Sequence, residues 1–154
     1  MKKVLVLCTG NSCRSQMAEG WIKHFAGDMA EVYSAGLVAH GLNPYAVAVM
    51  KDAGIDISGY KSKTIKELPD IVFDYIISLC NNVKEKCPEI PGKAIRIHKP
   101  FDDPAEMDGS SAELMKVFTA LRNSIENFCF DFVNNNIRRL LPDDPDQENM
   151  IKGM

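Results

Sequence analysis

The sequence lacks several things, and each absence removes a class of function. No apolar run approaches the ~20 residues that a membrane-crossing helix needs. Met1-Lys2-Lys3 followed by Val4 to Leu7 begins like a secretion signal. The apolar run stops at Cys8-Thr9-Gly10-Asn11, too short for the hydrophobic core of one. There is no basic excess: 18 Lys and Arg stand against 21 Asp and Glu, a net charge of -3, which argues against a nucleic-acid or anionic-membrane surface. No repeat and no linker-like stretch is present. Histidine is scarce, and His24 and His40 read as ordinary polar surface residues without a role. The cysteine spacings match none of the paired-ligand zinc patterns, so neither a metal nor a cofactor is expected. What remains is a chain of 154 residues, 45% apolar, enough for one compact domain that needs no staple. A cytoplasmic monomer is expected. In that reducing compartment, five cysteines point to redox or catalytic chemistry rather than structural disulfides.

What is present is organised around Cys8-Thr9-Gly10-Asn11-Ser12-Cys13-Arg14-Ser15, directly after the apolar run Val4-Leu5-Val6-Leu7. The pattern reads as a buried strand, a tight loop with a thiol at its mouth, and a helix with an arginine in its first turn. A loop folded around a tetrahedral oxyanion aims successive backbone N–H groups inward, at the positive end of the following helix. Thr9, Gly10, Asn11, Ser12, Cys13 and Arg14 are therefore the candidate oxyanion cradle. Gly10 lets the backbone come close, and Asn11 tolerates left-handed dihedrals. Arg14 can clamp two oxygens with its planar fork, while Ser15 can donate a hydroxyl hydrogen bond to sulfur. The field that holds the anion favours the thiolate of Cys8, a nucleophile. A strand-to-helix turn holding one buried cysteine would share the spacing; the strand before and the amphipathic helix after are the context that the chemistry requires.

Further along, Met17, Ala18, Trp21, Ile22 and Phe25 recur at helical spacing from Gln16 to Ala26, and Gly27 ends that helix. Glu31 to Ser34 is a short strand. Asn43-Pro44 opens a helix to about Ala53, with Gly54 as its stop. Ile55 to Ser58 is briefly extended, and Lys61 to Leu68 is polar with a short helical turn. Phe73 to Leu79 is apolar enough for a central strand of a parallel sheet, and Ala94 to Ile97 is a shorter strand. After the long loop His98 to Ser110, Ala112 to about Val133 carries Leu114, Phe118, Leu121, Ile125, Phe128 and Phe132 on one helical stripe. Asn134 to Met154 is a polar, Pro- and Asp-rich extension, so the expected division is a domain over 1–133 and a tail over 134–154. Strands alternating with helices predict a single-domain α/β fold: an open, parallel, doubly wound sheet of about four strands with helices on both faces. Such sheets place their sites at the carboxyl ends of the strands, where Cys8 and Cys80 both fall. If the first and third strands are neighbours, in a flavodoxin-like order, the two thiols share one rim.

Cys80 to Cys87 reads as a short helix with a cysteine at each end. Its rise separates the thiols by about 10 Å, beyond the ~4.4 to 6.8 Å between the Cα atoms of a disulfide. Joining them requires the helix to unwind. Asn81 and Asn82 at its start and Pro88 past its end suit that, and Lys84 and Lys86 favour thiolates nearby. Two small core residues flanking a turn would show the same pattern. Cys13 reads as structural, and Cys129 as core or partly exposed on the long helix. In the loop Phe101-Asp102-Asp103-Pro104-Ala105, Asp103 is the candidate general acid for an oxygen leaving the bound anion; an ordinary Asp-Pro turn is the alternative.

With these pieces in place the sequence resembles the thioredoxin-coupled arsenate reductases, which share their fold with the low-molecular-weight protein tyrosine phosphatases. The resemblance is carried by Cys8 to Ser15 with Gln16-Met17-Ala18-Glu19-Gly20-Trp21, then Tyr33-Ser34-Ala35-Gly36, Gly41-Leu42-Asn43-Pro44, Gly54-Ile55-Asp56-Ile57-Ser58, Cys80 with Cys87-Pro88, and Phe101 to Ala105. It spans about Lys2 to Phe130. The resemblance implies that arsenate, with phosphate or sulfate as competing oxyanions, sits in the loop, that Cys8 attacks arsenic, and that Asp103 protonates the departing oxygen. It further implies that Cys80 attacks Cys8, releasing arsenite and leaving a Cys8–Cys80 disulfide. Cys87 then attacks Cys80, the helix between them loops out, and thioredoxin reduces the exposed Cys80–Cys87 bond, in the service of arsenic detoxification. A glutaredoxin-like reductant is the open alternative. Lys61 and Lys63 fall where some members have a threonine and an aspartate contributing to a potassium site, so a lysine is expected to supply that positive charge. Lys99 replaces a common aromatic residue before the acid loop. The rival enzyme is a tyrosine phosphatase using Cys8, Arg14 and Asp103 alone, but its usual paired tyrosines after Asp-Pro are Ala105-Glu106 here. A third reading, a non-catalytic oxyanion sensor or thiol-regulated binding module, would survive Cys8→Ser.

Overall fold

The computed structural model describes residues 1–81, 90–104 and 107–138. Residues 82–87 of the predicted 80–87 helix, with Cys87, and residues 139–154 of the predicted tail lie outside the described residues.

Four parallel strands form one sheet in the order β2-β1-β3-β4. They are β1 (Lys2–Cys8), β2 (Ala30–Gly36), β3 (Tyr75–Ser78) and β4 (Ile95–His98). The helices are α1 (Arg14–Ala26), α2 (Pro44–Asp52) and α3 (Ser111–Phe132). The continuous apolar run of β1 is buried on both faces, as a central parallel strand requires. Val4 and Val6 face a core shared with Met17, Ala18 and Ile22 of α1, Val49 and Met50 of α2, and Phe118, Ile125 and Phe132 of α3. Leu5 and Leu7 face the other way, against Ala35 and Ile76, where Ile65, Leu68, Phe73, Ile90 and Ala94 close the layer. Each fully buried Val, Leu, Ile, Phe or Met among them contributes about 1.5–3 kcal/mol relative to exposure.

The helix ends follow their local chemistry. Asn43 caps α2, its Oδ1 accepting from Tyr45 N at 2.9 Å and Ala46 N at 3.3 Å, ahead of Pro44 in the first turn. On α3, Phe118, Ile125 and Phe132 of the predicted stripe are buried, and Leu121 and Phe128 are half-buried. Cys129 belongs to the core, its Sγ 3.8 Å from Ala18 O, and burial raises its thiol pKa. The helical path continues past α3 as a π turn over Val133–Ile137. Arg138 then donates to Phe25 O at 2.7 Å, so the first residues of the predicted tail pack on the end of α1.

The topology brings the thiols to one rim, because β1 and β3 are neighbours. Leu7 pairs with Ser78, and Leu79 N donates to Leu7 O at 2.9 Å. Cys80 therefore lies one residue beyond the level of Cys8, just past the end of the neighbouring strand β3, which runs about 4.8 Å away.

Candidate active site

The loop between β1 and α1 is shaped by bonds to its carbonyl oxygens. Val38 N donates to Thr9 O at 3.1 Å, His40 N to Gly10 O at 3.0 Å, Asn43 N to Ser12 O at 3.0 Å, and Ser62 Oγ to Gly10 O at 3.2 Å. The loop held by these bonds leads directly into the N-terminus of α1, the positive end of that helix. Asn11 takes the left-handed conformation, with φ 46°, as its residue type suggests. A Cβ at Gly10 would lie 2.6 Å from His40 Nδ1. His40 is at the surface, as read from the sequence, and its backbone N–H braces the loop at Gly10 O. Gly36 is as tightly confined, since a Cβ would meet Val38 O, Thr9 O and Asn11 N at 2.6–2.8 Å.

Asn11 is also the hub of the polar network. Its Oδ1 accepts from Gln16 Nε2 at 3.0 Å and Lys63 N at 2.9 Å, so its Nδ2 must face the two serines. Nδ2 donates to Ser15 Oγ at 2.7 Å and Ser34 Oγ at 3.0 Å. Ser15 Oγ, already accepting from Asn11, lies 2.9 Å from Cys8 Sγ with its own proton still available. The predicted Ser15–Cys8 contact is thus present. Ser34 Oγ donates to buried Glu19 at 2.6 Å, whose other oxygen pairs with Lys23 at 2.8 Å. Lys63 Nζ stands 3.9 Å from Glu19 Oε1. Burial lowers the pKa of Lys63, while the Glu19 charge opposes that shift.

Across the loop, Arg14 is almost fully buried, 1% exposed. Its Nη1 donates to Phe101 O at 3.0 Å, and its Nη2 lies 3.6 Å from Asp103 Oδ2. Cys13 Sγ donates to Asp103 Oδ1 at 3.7 Å. Burial, reinforced by the Asp103 charge, raises the pKa of Cys13 far enough to keep it a thiol. Cys8, Asn11, Cys13, Arg14, Ser15 and Asp103 thus converge, and Cys80 is buried on the same rim. Lys63 was one of the two lysines expected to bring positive charge there, whereas Gln16, Glu19, Ser34, Gly36 and His40 are the residues that the motif reading left without stated roles. Their signal was the polarity of Gln16 and Glu19 within an apolar helix. Among the described residues, no group of three or more His, Cys, Asp or Glu could hold a metal.

A buried thiol at a strand end, beside a loop that runs into a helix and near an arginine paired with a carboxylate, is the arrangement of a phosphatase-type thiol enzyme. Residues 3–140 match the low molecular weight phosphotyrosine protein phosphatase family, and the chain belongs to it. Within that family its similarity runs to arsenate reductases. The arsenate reductase of Bacillus subtilis (strain 168) is 48% identical over 133 residues, covering 85% of this chain and 94% of that protein. A solved arsenate reductase in the oxidized state superposes with a TM-score of 0.74 at 32% identity, over 88% of this chain and 98% of that one. The thioredoxin-dependent arsenate reductase of Corynebacterium glutamicum has a TM-score of 0.53 at 27% identity, over 84% of this chain and 62% of that one.

Proposed function

We propose that the protein reduces arsenate to arsenite by a relay of Cys8, Cys80 and Cys87, with thioredoxin as reductant, in arsenic detoxification. The observation that carries this reading is Cys8 Sγ, 2.9 Å from Ser15 Oγ, at a loop whose Arg14 is held beside Asp103. Arsenate binds to the loop N–H groups and the Arg14 fork. The Cys8 thiolate attacks arsenic; an As–S bond forms as an As–O bond breaks, and Asp103 gives its proton to the leaving oxygen. The Cys80 thiolate then attacks the Cys8 sulfur. The As–S pair stays on arsenic, which leaves as arsenite, reduced from As(V) to As(III), and a Cys8–Cys80 disulfide remains. Cys87 displaces Cys8 from Cys80, and the thioredoxin dithiol reduces the resulting Cys80–Cys87 bond. This chemistry suits a reducing cytoplasm. No helix among the described residues is long and apolar enough to cross a membrane.

The test is NADPH consumption with arsenate, thioredoxin and thioredoxin reductase, comparing wild type with Cys80→Ser and Cys87→Ser. Turnover in the wild type and its loss in both variants is expected. One observation favours a second reading, because Cys8, Arg14 and Asp103 alone complete a phosphatase site. Aryl phosphate hydrolysis that survives both substitutions, without arsenate turnover, would replace the reductase reading with that one.

A further inference from the structure

The loop carrying Asp103 is laced to the segment carrying Cys80. Beyond the paired strands, Lys99 N donates to Ser78 O at 2.9 Å and Phe101 N to Leu79 O at 3.0 Å. The next link is made by side chains: Asn81 Nδ2 donates to Asp102 Oδ1 at 2.6 Å. Asp102 directly precedes Asp103, and Pro104 follows with no N–H to anchor that side of the loop. Two adjacent carboxylates are thus held by different partners, Asp102 by Asn81 and Asp103 beside Arg14. Only the geometry with Asp103 at Arg14 places an acid beside the loop that holds the oxyanion.

From this arrangement we infer that Asn81 is a positioning residue for the acid, a role that rests on the proposed assignment of Asp103. By holding the Asp102 carboxylate, Asn81 fixes the turn of the chain that presents Asp103 and keeps Asp102 from competing for Arg14. An amide is suited to this. It donates to a carboxylate without adding charge beside Cys80, which a lysine or arginine would do.

The experiment uses the reduced full chain with Asn81→Ala, Asp102→Asn and the exchanged pair Asn81→Asp with Asp102→Asn, which restores an amide-to-carboxylate bond in the reverse direction. Asp103→Asn runs in parallel. The readouts are kcat and KM for arsenate in the thioredoxin-coupled assay. Alongside them go the iodoacetamide alkylation rates of Cys8 and Cys80, resolved by peptide mass, and protection of Cys8 by inorganic phosphate. Asn81→Ala should lower kcat about 10-fold, a part of the ~10²–10⁴-fold that a placed general acid supplies. Alkylation and phosphate protection should stay at wild-type values, and the exchanged pair should recover most of the lost rate. Unchanged kcat in Asn81→Ala, no recovery in the exchanged pair, or a parallel change in Cys80 alkylation would each overturn the inference. An inactive wild type, or full activity in Asp103→Asn, would instead overturn the reading on which it rests.

Discussion

Asn11→Ala removes the residue on which the loop, the nucleophile and two flanking segments converge. Two effects follow at once. The first is lost hydrogen bonding. Gln16 Nε2 keeps Asn11 O at 3.2 Å and Lys61 O at 3.0 Å, so its loss is small. Lys63 N loses the acceptor 2.9 Å away, and an orphaned, part-buried N–H costs about 1–3 kcal/mol. Ser15 and Ser34 keep Cys8 and Glu19 as partners but lose the Asn11 donor, at about 0.5–1.5 kcal/mol each. The second effect is backbone strain, because alanine tolerates a left-handed φ of 46° less well than asparagine, by about 1 kcal/mol. Together these effects predict a loss of about 3 to 7 kcal/mol, a large share of the ~5–15 kcal/mol of an ordinary domain. Equilibrium urea unfolding in reducing buffer, followed by circular dichroism, measures it. Asn11→Gly separates the parts, since glycine accepts the backbone conformation but makes none of the side-chain bonds; it should recover only about 1 kcal/mol of the loss. A loss below about 1 kcal/mol in Asn11→Ala would refute the hub role, because no single orphaned donor would then carry its ordinary cost.

Three other substitutions test separate parts of the site. Ser15→Ala should lower kcat/KM for arsenate about 10- to 150-fold, since a hydrogen bond to a charged sulfur is worth about 1.5–3 kcal/mol; Ser15→Thr, which keeps the hydroxyl, should recover much of it. Arg14→Lys replaces a buried fork that reaches both Phe101 O and Asp103, and should cost about 10²-fold in kcat/KM and weaken inhibition by phosphate. Gly36→Ala pushes a methyl into three backbone atoms at 2.6–2.8 Å; urea unfolding should show about 1–3 kcal/mol lost, and Cys8 alkylation should lose its protection by phosphate.

Much of the fold could be read from local pattern. The apolar run at Val4–Leu7, Asn43-Pro44 ahead of α2 and the stripe from Phe118 to Phe132 each combine a period with a cap or a breaker. Boundaries shifted by a few residues: Tyr75–Ser78 and Ile95–His98 replace the expected 73–79 and 94–97, and β2 extends to Gly36. The site core was equally legible, because Cys8, Asn11, Arg14 and Ser15 lie within one loop and one helical turn. Its supporting shell was not. Lys63 reaches Asn11 across 52 positions and Ser34 across 23, distances at which no periodicity operates. The need for Gly36 is a matter of backbone closeness in space, and the role of His40 depends on how the chain after β2 folds back over Gly10.

The order of donors and acceptors in that shell explains how a distant charge reaches the nucleophile. Glu19 is only 5% exposed, and a buried carboxylate is tolerated when it is paired. Lys23 at 2.8 Å and Lys63 at 3.9 Å supply that pairing. Ser34 must then donate to it, which leaves Ser34 Oγ free to accept from Asn11 Nδ2. The Asn11 amide, oriented by Gln16 Nε2 and Lys63 N at its Oδ1, also directs Nδ2 at Ser15, whose Oγ lies 2.9 Å from Cys8 Sγ. Removing the Glu19 carboxylate would take away the acceptor of Ser34, while Gln16 Nε2 and Lys63 N would still hold the Asn11 amide. The positive charge expected from a lysine near the loop therefore pairs with buried Glu19, which is joined to Cys8 through Ser34, Asn11 and Ser15.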